Sequence, residues 1–404
     1  MTHSIYIHIP FCKTKCPYCD FASWANKEHM IDRYFDALLL EVRTKCEAYL
    51  NGYLSLRGAL ATKQSRLVKQ STDRDCFVPL ALAMTNKPSI NTLFIGGGTP
   101  SLIAPEYYEQ LFAELKKYFI FAADCEITLE LNPGTARSDY LKGYKNLGIN
   151  RISIGAQSFN PIILETLGRK HSIDETIDAI NKIKSAGFEN FNLDLIFSVP
   201  GMTIDLWTDS VKQALKYNPK HISAYSLIIE PGTPFELIYK DPKLLPSDDN
   251  AFDFYSELCR ILKENGFIHY EVSNFAKPGF KCKHNLTYWE QKEYYAFGVN
   301  AHKFLNGLRT NNLRNLEEYM LNPSRETITE FPINYDFEKV ILTSRLNSGL
   351  DINLIEKVTT KSPDEVKTAL KDLSNEGFIE LSGNNLHLTE KGLFLNNEIL
   401  LKLI

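Results

Sequence analysis

The sequence predicts an α/β protein: a partial (β/α) TIM-like barrel followed by a small C-terminal α+β domain of winged-helix-like order. Short apolar runs suited to buried strands alternate with segments whose apolar residues recur at helical spacing, and that alternation implies a parallel sheet. Glycine-rich or polar residues stand at or just past several of those strands, where the loops of a barrel converge on one mouth. From residue 335 onward the pattern changes to capped helices and a hairpin.

Ile5–Ile9 reads as the first buried strand, ended by Pro10. Ile31, Tyr34, Phe35, Leu38, Leu39 and Val42 then fall on one helical face. The stretch 44–90 breaks this rhythm and carries seven Lys/Arg against three Asp/Glu, Lys45 among them. It reads as a solvated surface insertion rather than a docking patch for an anionic partner. A strand follows at Asn91–Ile95, running into Gly96-Gly97-Gly98-Thr99-Pro100. Further strands are expected at Ile127–Leu131, Ile152–Ile154, Phe191–Leu195, His221–Tyr225 and near Tyr270–Val272. The domain boundaries expected are 1–275 for the barrel, 276–334 for a linker and 335–404 for the C-terminal domain. In that last domain Ser362-Pro363-Asp364-Glu365 combines a capping box with proline at the first helical position. Gly377 ends that helix, and Phe378–Leu381 and Leu386–Leu388 form the hairpin.

The chain has 404 residues, of which 44% are hydrophobic and 23% charged, the composition of an ordinary globular protein. Its formal charge of −4 gives no global attraction to nucleic acid. The winged-helix-like end is itself acidic, with eleven Asp/Glu against eight Lys/Arg over 336–404, so packing is expected there rather than DNA. No signal peptide or membrane-spanning run is evident, and eight cysteines in this length make no disulfide framework. A cytoplasmic location is the expectation.

The chemistry concentrates in the loop after the first strand. Cys12, Cys16 and Cys19 stand at C-x₃-C-x₂-C, close enough to share one metal cluster. Iron–sulfur cubanes are normally held by four thiolates. Three leave one iron open to a small-molecule ligand, as a catalytic zinc keeps one position free. A zinc knuckle would need a second pair of cysteines or histidines, and none follows at suitable spacing. After its strand, the glycine turn can bring backbone amides close to a ligand, because Gly97 and Gly98 carry no Cβ.

These motifs resemble the radical S-adenosylmethionine (SAM) superfamily, with Tyr18 as the aromatic residue before the last cysteine. The resemblance implies a [4Fe–4S] cluster on Cys12, Cys16 and Cys19 and SAM chelated to its open iron. Gly97, Gly98 and Thr99 match the motif for the SAM amino group. The ordered set Tyr6, Glu130, Gln157, Arg169 and Asp194 is similar to the oxygen-independent coproporphyrinogen III oxidase-like branch. There the matching positions contact SAM, and those of Gln157, Arg169 and Asp194 contact a second SAM. Further on, His284-Asn-x-x-Tyr288-Trp289 matches a signature of the HemW-type heme chaperones of that branch. Imidazole is a common ligand to haem iron, so His284 is expected as a heme ligand, against a core histidine holding the segment by hydrogen bonds. Cys282 is a second candidate.

Two departures separate the chain from the true oxidase. Phe21 occupies the place of that enzyme's fourth cysteine, and only eleven residues precede Cys12. Both agree with the HemW type. The resemblance therefore implies a protein that carries the cluster and SAM, binds heme and hands it to an acceptor, with a membrane-bound respiratory protein as the expected candidate. The alternatives are oxidative decarboxylation of coproporphyrinogen III and another radical SAM activity such as methyl transfer. Oligomeric state is left open by the sequence.

Overall fold

The computed structural model describes residues 2–50, 87–330 and 332–404. Most of the predicted 44–90 insertion therefore lies outside the described residues. The helix before it, α1 (Ile31–Leu50), runs past the predicted start of that insertion.

Among the described residues one sheet holds twelve strands. In chain order its parallel core contains β1 (Thr2–Ile9), β2 (Ser89–Gly97), β3 (Ile120–Leu131), β4 (Arg151–Gln157), β5 (Phe191–Phe197) and β6 (His221–Ser226). Successive strands pair side by side in that order. Helices between them include α2 (Pro105–Tyr118), α3 (Ser138–Asn146), α4 (Pro161–Thr166), α5 (Ile173–Ser185) and α6 (Ile204–Lys216). This is the predicted β/α alternation.

Side chains alternate across the sheet with the strand period of two. Ile5, Ile7 and Ile9 on β1, Leu93 and Ile95 on β2, Leu129 on β3 and Ile152 and Ile154 on β4 are fully buried. They belong to one apolar core. The intervening positions Ser4, Tyr6 and His8, then Thr92, Thr128 and Glu130, then Arg151 and Ser153, and finally Asn192 and Asp194, face the other way. The barrel is thus apolar where the helices pack and polar inside, which suits a ligand site better than a filled core.

Beyond β6 the sheet continues antiparallel through β7 (Ile268–Glu271) and β8 (Asn274–Ala276). On its other side β9 (Tyr294–Phe297) pairs parallel with β1, followed by the antiparallel β10 (His302–Leu305), β11 (Leu308–Asn312) and β12 (Glu326–Glu330). Residues 276–334, expected as a linker, therefore carry four strands of the main sheet. The run Tyr294–Phe297 is short, and its partner lies almost the whole chain away, so local pattern gives no hint of the pairing.

A buried cluster ties this extension down. Glu41 of α1 is fully buried and accepts from Gly298 N (2.8 Å), Asn312 Nδ2 (2.6 Å) and Tyr319 Oη (2.6 Å). Lys45 Nζ lies 2.9 Å from the Glu41 carboxylate and 3.0 Å from that of Glu326. Lys45, counted with the basic insertion from sequence, is thus an internal counter-ion one helical turn from Glu41.

The C-terminal part has the predicted helix Pro363–Asn375, opened by its capping box, and the hairpin Ile379–Ser382 with Asn385–Leu388. It forms its own apolar core around Val366, Leu370, Leu373 and Leu386. Phe394 packs on Tyr255 and Phe252 of the helix Asp248–Glu264.

Glu41→Ala leaves Lys45 buried with one carboxylate lost and three donors unpaired. We expect a loss of about 3–5 kcal/mol in urea unfolding.

Candidate functional site

The chain leaves β1 at Ile9, turns at Pro10 and enters the cysteine loop at Phe11–Cys12. The next strand delivers the glycine turn to the same place. Gly98 N donates to Ile9 O (2.7 Å) and Thr99 N to Phe11 O (2.7 Å), so the two motifs are sewn together by backbone. A Cβ at Gly98 would stand 2.7 Å from Phe11 O and 3.0 Å from Ile9 O, which only glycine avoids. Gly97 takes a φ of +113° and any Cβ there would strike the His8 ring.

The cysteine loop is fixed from several sides. Cys19 N donates to Cys16 O (3.1 Å) and Phe235 N to Pro17 O (3.1 Å). Lys15 Nζ donates to Phe21 O (3.0 Å), closing the loop over its own charge. Thr99 Oγ1 reaches Cys12 Sγ at 3.5 Å, and Arg169 Nη1 reaches Cys16 Sγ at 3.2 Å.

All three cysteines line one cavity of roughly 490 Å³ with Tyr18, Gly97, Gly98, Thr99, Glu130, Gln157, Arg169 and Asp194. That size falls in the range of about 300–1,000 Å³ usual for small-molecule sites. It opens at the C-terminal ends of the strands, the face on which barrel loops carry chemistry. Eleven of the thirteen site residues singled out from sequence thus line this cavity, and Tyr6 and His284 lie elsewhere.

The donor set suits a cluster. Cys12, Cys16 and Cys19 are free thiols. Among the described residues no group of three or more His, Cys, Asp or Glu is arranged to hold a metal ion. Burial pushes the Cys12 and Cys19 thiols up, so a metal bound there would have to displace their protons.

Two of the cavity's carboxyls, Glu130 and Asp194, are raised by burial. Glu130 Oε2 accepts from Gly97 N (3.0 Å), yet burial and the neighbouring Asp194 push its carboxyl up to about 8. Burial also raises Asp194, which accepts from Asn192 Nδ2 (2.7 Å) and Ser153 Oγ (3.3 Å). Arg169 donates Nη2 to Gly155 O (3.1 Å), while its buried Nε has no partner. An unpaired guanidinium nitrogen in such a site leaves a donor for an anionic ligand group. Gln157 ends β4 in the left-handed region at φ +63°.

Tyr6 lies inside the barrel rather than against the cysteine loop. His8 Nε2 donates to Ala22 O (2.8 Å), so its Nδ1 accepts from Tyr6 Oη (3.0 Å). Burial lowers His8 to about 4, which keeps the ring neutral.

His284, expected from sequence as a heme ligand or as a core histidine, does not line this cavity. It sits in the short helix Lys283–Trp289, which caps the barrel at the end opposite the cavity. Glu126 accepts from Lys283 N (3.2 Å) and His284 N (3.1 Å), and Thr287 Oγ1 meets Ser4 Oγ at 2.8 Å. The imidazole is 1% exposed, with Nδ1 on Thr92 Oγ1 (2.7 Å) and Nε2 on Tyr288 Oη (2.8 Å). Both ring nitrogens are therefore hydrogen-bonded in this structure. Cys282 is also fully buried, its Sγ donating to Glu126 Oε1 at 3.5 Å. The signature helix is a plug in this fold, a role that spacing alone does not distinguish from ligation.

Comparison with known proteins now applies. A model of the radical SAM superfamily matches residues 63–214, and one described as the HemN C-terminal domain matches 332–395. Coproporphyrinogen III oxidase (HemN) from Escherichia coli, described as a radical SAM enzyme, superposes with a TM-score of 0.76 at 22% identity. The match covers 100% of this chain and 90% of that one. The fold and the cavity thus define a member of the radical SAM superfamily. Heme chaperone HemW of Haemophilus influenzae is 35% identical over 98% of this chain and 96% of its own length. The HemW proteins of Bacillus subtilis and E. coli are 32% and 34% identical, each over 98% of this chain. The chain belongs to the HemW family.

Two measurements test the site. Glu130 holds its proton more tightly folded than at its ordinary value of 4.5. Stability should therefore fall as pH rises from 4.5 to about 8 and level off above. Glu130→Gln should flatten that part of the profile in denaturant melts of the SAM-free protein. His284→Ala leaves the buried Thr92 hydroxyl and the half-buried Tyr288 hydroxyl unpaired beside a cavity and should cost roughly 2–4 kcal/mol.

Proposed function

We propose that this protein is a heme chaperone that binds heme and passes it to an acceptor protein, and that it carries a [4Fe–4S] cluster with exchangeable SAM. The observation that carries this reading is three free cysteines on one wall of a cavity whose other walls suit an adenosylated amino acid. Cys12, Cys16 and Cys19 would hold the cluster, and the backbone around Gly97–Thr99 would lie against the SAM amino group. Glu130 would accept from ribose hydroxyls, and Arg169 would pair with a carboxylate. The cluster supplies one-electron chemistry and a Lewis-acidic iron for a chelating ligand when bound.

The residues do the rest by position. The paired backbone of Ile9–Phe11 and Gly98–Thr99 keeps the cysteine loop from drifting relative to the ligand's amino group. Arg169 bridges Cys16 to the strand β4, so the loop and the SAM-facing rim move as one piece. The relatives named heme chaperones carry heme into the proposal. The acceptor would be a heme protein of a respiratory membrane. No helix among the described residues is long and apolar enough to cross a membrane. A cytoplasmic location fits the reading, because thiolates for an exposed cluster need a reducing compartment.

Coproporphyrinogen oxidation is the competing activity for this cavity. Phe21, in the place of the oxidase's fourth cysteine, is 64% exposed at the cavity mouth, leaving it a wide apolar lip. The full chain, reconstituted anaerobically with iron and sulfide, should show a cubane EPR signal that SAM perturbs, and the Cys16→Ser variant should lose it. Hemin should bind stoichiometrically, and coproporphyrinogen with SAM and reductant should give no protoporphyrinogen. Turnover to protoporphyrinogen, or absence of hemin binding, overturns the chaperone reading.

A further inference from the structure

A second cavity, of roughly 550 Å³, lies beside the first along the open side of the barrel. Its walls come from β1 (Tyr6, His8), the signature helix (Tyr288), β9 (Tyr294) and the extension (His302, Asn311, Arg314). Asp20, Phe21 and Ala22 close it against the cysteine loop, and Asp20 and Phe21 also line the first cavity. Its volume again suits a small molecule.

The histidines decide what it can hold. An axial ligand to heme iron needs a ring nitrogen that no protein group already occupies. His8 and His284 each have both nitrogens bonded, and so does His221, through Asn192 and Tyr270. His302 differs. It opens β10 with its side chain exposed at the cavity wall, and its ring makes no hydrogen bond to any described residue. Its cross-strand partner is Asn311, which also lines the cavity. The remaining surfaces match a porphyrin: the rings of Tyr6, Tyr288, Tyr294 and Phe21 for the macrocycle, and the mostly exposed guanidinium of Arg314 for its carboxylates. Arg314 donates to Asp20 Oδ1 at 2.9 Å in this state, an exposed pair that is cheap to exchange.

We infer that this second cavity is the heme site and that His302, not His284, supplies the axial nitrogen to the iron, with Arg314 facing the propionates. The inference rests on the reading that the chain binds heme. It gives the signature helix an indirect part, since Tyr288 both holds His284 and forms a cavity wall.

Hemin titration of the full chain, followed by Soret absorption and EPR, tests it. His302→Ala should lower affinity at least about tenfold, as loss of a direct ligand exceeds loss of a supporting one. The variant should also lose the histidine-ligated spectrum, and added imidazole should restore it. Arg314→Gln should weaken binding of hemin more than that of its dimethyl ester. Thermal melts and iron content check that each variant is folded. If wild type binds hemin and His302→Ala binds it with the same spectrum and affinity, the assignment is overturned while heme binding stands. Loss that imidazole does not repair, in a variant with an unchanged melt, overturns the ligand role as well. If wild type binds no hemin, it is the underlying reading that falls.

Discussion

Two backbone hydrogen bonds, Gly98 N to Ile9 O and Thr99 N to Phe11 O, hold the functional end of the molecule together. They exist because β1 and β2 pair in parallel and both end at the same height, so a cysteine loop and a glycine turn leave the sheet side by side. Parallel strands cannot be joined by a short hairpin, which is why these neighbours are separated by α1 and the long stretch after it. The geometry tolerates no side chain at Gly98, where a Cβ would meet two carbonyl oxygens of the facing strand. Everything further out depends on that clamp: the cysteines, the Arg169 bridge to Cys16 and the rim of Glu130 and Asp194.

The two ends of the barrel have different work. At the strand C-termini polar groups are left with unfilled capacity, such as the lone Nε of Arg169 and a carboxyl at Glu130 that burial keeps largely protonated. At the opposite end several polar groups pair with one another. Glu126 caps the Lys283–Trp289 helix, Thr92 and Tyr288 take the two nitrogens of His284, and Ser4 meets Thr287. Paired polar groups of this kind rigidify the packing around the Lys283–Trp289 helix.

Much of this was legible before any coordinates. Parallel strands, the cysteine loop and the glycine turn follow from local pattern, and Glu130 and Asp194 from their place near strand ends. Less legible was anything set by pairing across long separations. Tyr294–Phe297 is four residues with no flanking signal, yet it completes the sheet beside β1. Lys45 looks like one more surface charge until Glu41 and Glu326 are found around it. His284 carries the chemistry of a metal ligand in any sequence, and only its two hydroxyl partners show that both nitrogens are committed. His302 has no motif of its own, because an unbonded ring is a property of surroundings rather than of neighbours in the chain.

Asp20 and Phe21 stand directly after Cys19 and form a partition with one face on each cavity. Any movement that an occupant on one side imposes on this two-residue wall is felt on the other. Thermodynamics then requires symmetry: if occupancy of the cysteine side strengthens binding behind the wall by some factor, the reverse effect has the same factor. Linkage across so thin a wall needs no hinge and no domain motion, only that Asp20 and Phe21 be shared by the two cavities.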